Sequence, residues 1–191
     1  MPEALAVINP LQPGCNAVFK KLAGVGLAFK LAIALRSSMR TLGHFAAAAE
    51  PNLRKYLDLV TLGTIADLVP LVGENRIIAA FGLQELTGSA RPGVKALKRV
   101  AAITAEVTAT DVGFRLAPRI NAAGRLDDAL RGVELLLSAD SAAADTLAAE
   151  LDAANRERQE IEKELLAEAL HRLHNDAALQ GRTTVVMAST A

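Results

Sequence analysis

The stretch Val60–Leu71, with the sequence VTLGTIADLVPL, organises the rest of the chain. It is almost wholly apolar and carries one carboxylate, Asp67, near its end. An ionised carboxylate inside an apolar run costs several kcal/mol unless it is paired. A metal ion, a cap or an arginine would each provide that pairing. From the residues alone, capping of the turn at 68–70 and metal ligation are both open.

The composition indicates a folded, mostly helical chain. The chain has 191 residues, enough for one large domain or one and a half small ones. Its apolar content of 51% supports a core and argues against disorder. Aromatic residues make up only 3% and Trp is absent, so the core is built from Ala, Leu, Val and Ile. This composition favours close helix packing over a β-sandwich.

The charge is balanced in total but uneven along the chain. The formal net charge is zero, so the total indicates no polyanionic partner. Residues 91–125 contain seven basic and two acidic residues, whereas residues 139–176 contain ten acidic and four basic ones. The middle of the chain is therefore basic and the following segment acidic.

The sequence indicates a soluble, cytoplasmic protein. Cys15 is the only cysteine, which rules out an internal disulfide and a cysteine-based zinc cluster. No signal peptide opens the chain, and no apolar run of about 20 residues is long enough to span a bilayer. We therefore expect no membrane association and a reducing compartment.

Apolar residues at helical spacing predict most of the secondary structure. Helices are expected over 22–42, 51–67, 76–86, 94–100 and 126–137, with a break at Gly63 in the second. Asn75 can cap the helix over 76–86, and its inward side chains are expected to be Ile77, Ile78, Phe81 and Leu86. Residues 119–125 depart from the helical pattern and predict an irregular loop. A last helix from Ser141 to about 174 would be roughly 50 Å long, so it is expected to bridge two bodies. Residues 5–8 and 183–187 read as short strands.

The segment RINAAGR, residues 119–125, contains the main candidates for phosphate contact. Guanidinium groups grip phosphate oxygens bidentately, and an amide adds a neutral donor, which points to Arg119, Asn121 and Arg125. The alternative is salt bridging of these arginines to acidic residues at 127, 128 or 134. Arg76 and Arg115 are weaker candidates, and the basic helix at 94–100 fits either DNA steering or a solvated face.

Several blocks together resemble a known family. LGTIADLVPL is followed by GENR, RPGVKAL, RINAAGRLDDA and ELDAANRERQEIE, and preceded by VINPLQPGC and LAGVGLAFKLA. These blocks resemble, in order, those of the RecJ family of the DHH phosphoesterase superfamily. The resemblance covers about residues 5–188. That family comprises bacterial single-strand-specific 5′→3′ DNA exonucleases of DNA repair and recombination.

The resemblance implies a fold class and a cofactor. It implies an α/β protein, mostly helical in this chain, with residues 1–138 forming the C-terminal part of a DHH domain. Residues 139–176 would be the long connecting helix, and 177–191 the first strand of a DHHA1 domain. The family holds two divalent cations, Mn²⁺ or Mg²⁺, and its fourth-motif aspartate, a catalytic metal ligand, matches Asp67.

The resemblance also implies partners, and it leaves two other functions open. Single-stranded DNA is the expected substrate, and a single-strand-binding protein or a helicase is an expected partner. The D-x-D and D-H-H motifs that supply the other metal ligands are absent from the sequence, so the chain alone is expected to be inactive. The alternatives are a non-catalytic DHH scaffold that binds replication proteins, and a DHH phosphodiesterase for short oligonucleotides or cyclic dinucleotides.

Overall fold

A computed structural model of the chain describes residues 4–45, 50–126, 130–176, 179 and 182–188, without the side chains of 123, 125 and 126. Within these residues the secondary structure is helical. The α-helices are α1 Gly24–Thr41, α2 Leu57–Ala66, α3 Gly73–Thr87, α4 Pro92–Val100, α5 Ala109–Asp111, α6 Ala117–Leu126, α7 Leu130–Leu137 and α8 Ser141–Asn175. A 3₁₀ turn, Leu53–Tyr56, precedes α2, and a π-helical turn, Val112–Leu116, joins α5 to α6.

Helix α2 is the central helix of the fold. It begins just before the stretch 60–71 and ends within it. It packs against α1, α3, the π-helical turn and α6. Because neighbours surround it, six of its ten residues are buried, polar as well as apolar ones. Val60, Leu62 and Ile65 are buried. The apolar run therefore predicts the centre of the fold.

Helices α2 and α3 form a closely packed antiparallel pair joined by the turn 67–72. The Thr61 hydroxyl donates a hydrogen bond to the Ile78 carbonyl at 2.9 Å. A Cβ added at Gly82 would lie 1.6 Å from the Thr61 Oγ1 and 2.7 Å from the Leu57 carbonyl oxygen. Glycine at 82 therefore lets the two helices approach each other.

The rest of the core lies where α4, α6 and α7 pack against the first half of α8. Six of the largest fully buried apolar side chains belong to the hydrophobic core: Leu86, Val94, Leu97, Val112, Leu116 and Leu135. Among the described residues the buried apolar side chains are those of Ala, Leu, Val and Ile, as the composition predicts.

Helix α8 is the long helix that the sequence predicts. The Asp140 carboxylate caps it by accepting a hydrogen bond from the Ala143 N–H at 2.7 Å. Its buried residues all lie between Ala144 and Asn155, and none of its residues after Asn155 is buried. The second half of the helix therefore extends away from the core, whereas its bridging role stays a prediction.

Three details of the predicted secondary structure are wrong. Helix α2 continues through Gly63 without a break, because Val25 of α1 packs closely over that glycine. The predicted loop at 119–125 is part of α6, because Arg119 is held in the helix by hydrogen bonds to the Arg115 carbonyl and to Asp152 of α8. Residues 5–8 and 183–187 do not form strands, because strand structure requires a paired neighbour and the described residues offer none.

The faces of α3 also differ from the prediction. Ile78 and Leu86 are buried as expected, but Ile77 and Phe81 are exposed. Asn75, predicted to cap the helix, lies inside its first turn and is fully buried. The helix begins earlier than predicted, at Gly73, because the chain turns there at a φ of +52°.

Candidate metal and phosphate site

Asp67 lies at the C-terminal end of α2, where the structure makes it the capping residue of the helix. Its side chain is exposed, and among the described residues it has no hydrogen-bond or ion-pair partner. Its backbone N–H bonds the Gly63 carbonyl at 3.0 Å. The premise that this carboxylate is buried is therefore wrong. The carboxylate is solvated, and its side chain does not cap the turn.

The turn after Asp67 keeps this carboxylate at the surface. Leu68 has a φ of +55°, the left-handed conformation that often ends a helix, and its side chain is 84% exposed. Leu71 and Val72 are also exposed. The turn thus presents a carboxylate beside apolar side chains. An anion at this end of a helix faces the negative pole of the helix dipole, which favours a cation nearby.

The buried carboxylate of α2 is Asp58, which the sequence analysis did not single out. Asp58 is only 3% exposed. It accepts hydrogen bonds from the Ser89 hydroxyl at 2.8 Å and from the Arg91 Nε at 2.9 Å. These two residues precede α4, so the ion pair fixes that helix against α2. The helical spacing between Asp58 and the buried apolar residues of α2 places Asp58 on their side of the helix, and this spacing can be read from the sequence.

Arg119 lies in a polar network between α6 and α8. Its Nε donates to the Asp152 carboxylate at 2.8 Å, and the arginine side chain is 17% exposed. Its two other nitrogens donate to the carbonyls of Arg115 at 2.6 Å and Val100 at 3.4 Å. Every nitrogen of this guanidinium therefore has a partner in the protein. Phosphate contact by Arg119 stays a prediction that requires this network to open.

Asp152 is the acidic centre of the network. It also accepts hydrogen bonds from Arg156, one turn further along α8. Burial alone would raise the pKa of Asp152, but the hydrogen bonds from Arg156 and Arg119 outweigh burial and hold that pKa below its ordinary range. The carboxylate therefore stays ionised and pairs both arginines.

The π-helical turn carries Arg115. Its guanidinium pairs with Asp111 at 2.9 Å and donates to the carbonyls of Ala101 and Ala102. The hydrogen bonds from Thr108 and Arg115 hold the pKa of Asp111 below its ordinary value. Arg115 and Arg119 thus bind carbonyls at or beyond the C-terminal end of α4, a favourable place for cations. A π-helical turn often marks a functional site.

The remaining phosphate candidates differ in accessibility. Arg76 on α3 and Asn121 on α6 are exposed, and their side chains have no hydrogen-bond partner among the described residues. The side chain of Arg125 lies outside the described residues. Arg76 and Asn121 are therefore the predicted donors that face solvent without a competing partner.

The basic helix α4 is partly structural. Lys98 donates to the carbonyls of Leu86 at 3.2 Å and Thr87 at 2.6 Å, which close the end of α3. Burial lowers the pKa of Lys98, with a smaller contribution from Lys95. Arg99 pairs with Asp145. Lys95 is exposed and has no ion pair among the described residues, and DNA steering by this helix stays a prediction.

Two kinds of feature are not found in the described part of the chain. No cluster of three or more His, Cys, Asp or Glu side chains there is arranged to hold a metal ion. No helix there is both long and apolar enough to cross a membrane.

Known proteins with a similar sequence identify the region to which this chain corresponds. No protein-family model matches it. A Dickeya dadantii protein named single-stranded-DNA-specific exonuclease RecJ is 51% identical over 175 residues, 90% of this chain and 30% of the relative. The Escherichia coli protein of the same name is 51% identical over 174 residues, 89% of this chain and 30% of the relative.

The chain is homologous to a region of RecJ. A crystal structure of exonuclease RecJ bound to manganese matches with a TM-score of 0.74 and 36% identity, over 90% of this chain and 41% of that one. RecJ from Thermus thermophilus in complex with Mn²⁺ matches with a TM-score of 0.70 and 37% identity, over 87% of this chain and 24% of that one. The predicted resemblance to RecJ and the mostly helical fold are confirmed.

The chain spans about 30% of the length of the first two RecJ relatives that it matches. A RecJ structure from Thermus thermophilus also exists in complex with Mg²⁺, with a TM-score of 0.68. The divalent ions expected from the resemblance are thus the ions of its structural neighbours. The roles of individual residues in this RecJ region remain predictions.

Proposed function

We propose that this chain is part of a single-stranded-DNA-specific 5′→3′ exonuclease to which it contributes the metal ligand Asp67. The observation that carries the proposal is the likeness to a manganese-bound RecJ at a TM-score of 0.74 and 36% identity. The exposed Asp67 carboxylate, which has no partner among the described residues, supports it.

The side chain of Asp67 fits a hard divalent ion. Mn²⁺ and Mg²⁺ take oxygen ligands, and a carboxylate with no arginine bound to it has both oxygens open to the ion. Its place at the C-terminal end of α2 favours a nearby cation. When bound, two divalent ions supply an activated water and charge stabilisation for phosphodiester hydrolysis. Asp67 supplies one ligand, so other ligands must come from outside the described residues.

The chain's own donors would bind the DNA backbone. Arg76 and Asn121 are exposed, and a guanidinium and an amide suit phosphate oxygens. Arg119 holds α6 against α8 through Asp152, which keeps the helix carrying Asn121 in place. Arg125, whose side chain lies outside the described residues, remains part of the proposed phosphate contact on its residue type alone. The substrate is single-stranded DNA, the proposed setting is the cytoplasm, and a single-strand-binding protein or a helicase is the proposed partner.

The test is hydrolysis of a 3′-labelled single-stranded oligonucleotide by the full-length protein that carries this segment. Asp67→Asn keeps the size of the side chain and removes its charge. We expect its turnover to fall by about a hundred- to a thousandfold, the scale of losing a group that stabilises transition-state charge. Glu157→Gln, an exposed carboxylate of α8 with no ion pair among the described residues, is the matched control and should keep wild-type activity.

Three results would contradict the proposal. Near-normal hydrolysis by Asp67→Asn would exclude Asp67 as a ligand. A wild-type protein that binds single-stranded DNA without degrading it in Mn²⁺ would favour the non-catalytic scaffold. Degradation confined to dinucleotides and very short oligonucleotides would favour the DHH phosphodiesterase.

A further inference from the structure

The fully buried amide of Asn75 has no assigned role. Asn75 is 0% exposed and lies in the first turn of α3. Its Nδ2 donates to the Pro70 carbonyl at 3.0 Å and to the Lys21 carbonyl at 2.7 Å. Both acceptors are carbonyls, so the orientation of the amide is fixed by the bonds that it makes.

These two hydrogen bonds join three parts of the chain. Pro70 lies in the turn that follows Asp67, and Lys21 lies in the segment before α1. Phe19 of the same segment packs against Gly73, where an added Cβ would lie 2.9 Å from the phenyl Cε2. The turn 67–72 is therefore held at Pro70 by the amide of Asn75. Just after the turn, the ring of Phe19 packs against Gly73.

The other end of the amide indicates why a polar residue stands here. The Oδ1 of Asn75 is buried and has no hydrogen-bond partner among the described residues. A buried acceptor without a partner carries a desolvation cost that an apolar side chain would avoid. What the amide contributes at this position is therefore its two N–H donors, which form hydrogen bonds to the carbonyls of Pro70 and Lys21.

We propose that Asn75 is a positioning residue for Asp67, holding the turn 67–72 so that the carboxylate faces a divalent ion. The inference rests on the proposed function of Asp67. Residues behind metal ligands typically change metal affinity by about 10- to 100-fold when they are replaced. Here the effect passes through the backbone of the turn, because Asn75 bonds the carbonyl of Pro70 and not the carboxylate itself.

The test measures Mn²⁺ affinity of the full-length protein by electron paramagnetic resonance of the free ion, without DNA. Asn75→Ala should weaken the binding about tenfold, towards the value of Asp67→Asn. Thr61→Ala is the matched control, since Thr61 is equally buried and also donates to a backbone carbonyl, that of Ile78 in α3. The Mn²⁺ affinity of Thr61→Ala should stay within about twofold of the wild-type value, a change well below that caused by replacing residues that support metal ligands.

The outcomes separate this inference from the proposed function. Wild-type affinity in Asn75→Ala, or an equal loss in Thr61→Ala, would overturn the positioning role. Unchanged affinity in Asp67→Asn would instead overturn the proposed function. If Asn75→Ala does not fold, Phe19→Ala loosens the same turn from a half-buried position and should weaken the binding about threefold. No change in that variant would also overturn the inference.

Discussion

Replacing Asp152 by alanine should destabilise the protein far more than removing its exposed arginine partner. Asp152 is 4% exposed and pairs with Arg119, whose side chain is 17% exposed, and with Arg156, whose side chain is 74% exposed. Without the carboxylate, the guanidinium of Arg119 stays largely buried without a countercharge. The ion pair joins α6 to α8, so its loss also loosens the packing of two helices.

The magnitude follows from these exposures. Breaking a buried ion pair by removing one partner costs about 3–5 kcal/mol. Arg119 keeps its hydrogen bonds to the Arg115 and Val100 carbonyls, which places the cost of Asp152→Ala near the lower limit, about 3 kcal/mol. The exposed pair of Asp152 and Arg156 contributes only about 0.3–0.5 kcal/mol. Arg156→Ala should therefore cost less than about 1 kcal/mol.

Urea unfolding of the 191-residue chain, followed by circular dichroism at neutral pH, measures both costs. With a slope of about 2 kcal/mol per molar, Asp152→Ala should lower the midpoint by about 1.5 M. The double replacement Arg119→Met and Asp152→Leu should recover most of the loss, because an apolar pair leaves no buried charge. Equal losses in Asp152→Ala and Arg156→Ala would show that the buried pair with Arg119 adds no stability beyond the exposed pair with Arg156.

Three further predictions concern stability. Gly82→Ala should lower the free energy of unfolding by about 1–3 kcal/mol in the same urea assay, because its Cβ would collide with Thr61. Gly88→Ala is the control and should be nearly neutral, because its Cβ would have no contact under 3.7 Å. Leu68→Gly relieves a φ of +55° and should raise the unfolding free energy by about 0.5–1 kcal/mol, measured as a higher melting temperature; a loss of stability would contradict it. The free energy of unfolding should fall as the pH drops below about 4, because the pKa of Asp152 is lower in the folded state, and a pH titration of Asp152→Asn should show a smaller fall.

The sequence predicts the centre of the fold because the run at 60–71 is almost wholly apolar. It also predicts α8, whose length and Asp140 cap are local properties of the sequence. It does not predict the helix at 119–125, because Arg119 bonds two partners that are distant in the sequence. These are the Val100 carbonyl and the Asp152 carboxylate of α8. Periodicity cannot show such contacts. The resemblance to RecJ, in contrast, is readable from the order of the blocks.

The electrostatics of the site could be predicted only in part. Asp67 lies in the apolar run at 60–71, and Asp58 lies just before it. Asp67 is exposed, whereas Asp58 is only 3% exposed. Which one needs a partner depends on how α3 and α4 pack, and Arg91 lies 33 residues beyond Asp58. Asn75 looks like a helix cap in the sequence, because its bonds to Lys21 and Pro70 exist only after α1 and α3 have docked.

A crystal structure of the full-length protein grown with Mn²⁺, with the ions located by anomalous scattering, would show whether Asp67 is a metal ligand. We expect one carboxylate oxygen of Asp67 within about 2.0–2.3 Å of a manganese ion, the range for hard divalent ions and oxygen ligands. Bound manganese with the Asp67 carboxylate more than about 4 Å from every ion, well beyond that coordination range, would exclude Asp67 as a ligand.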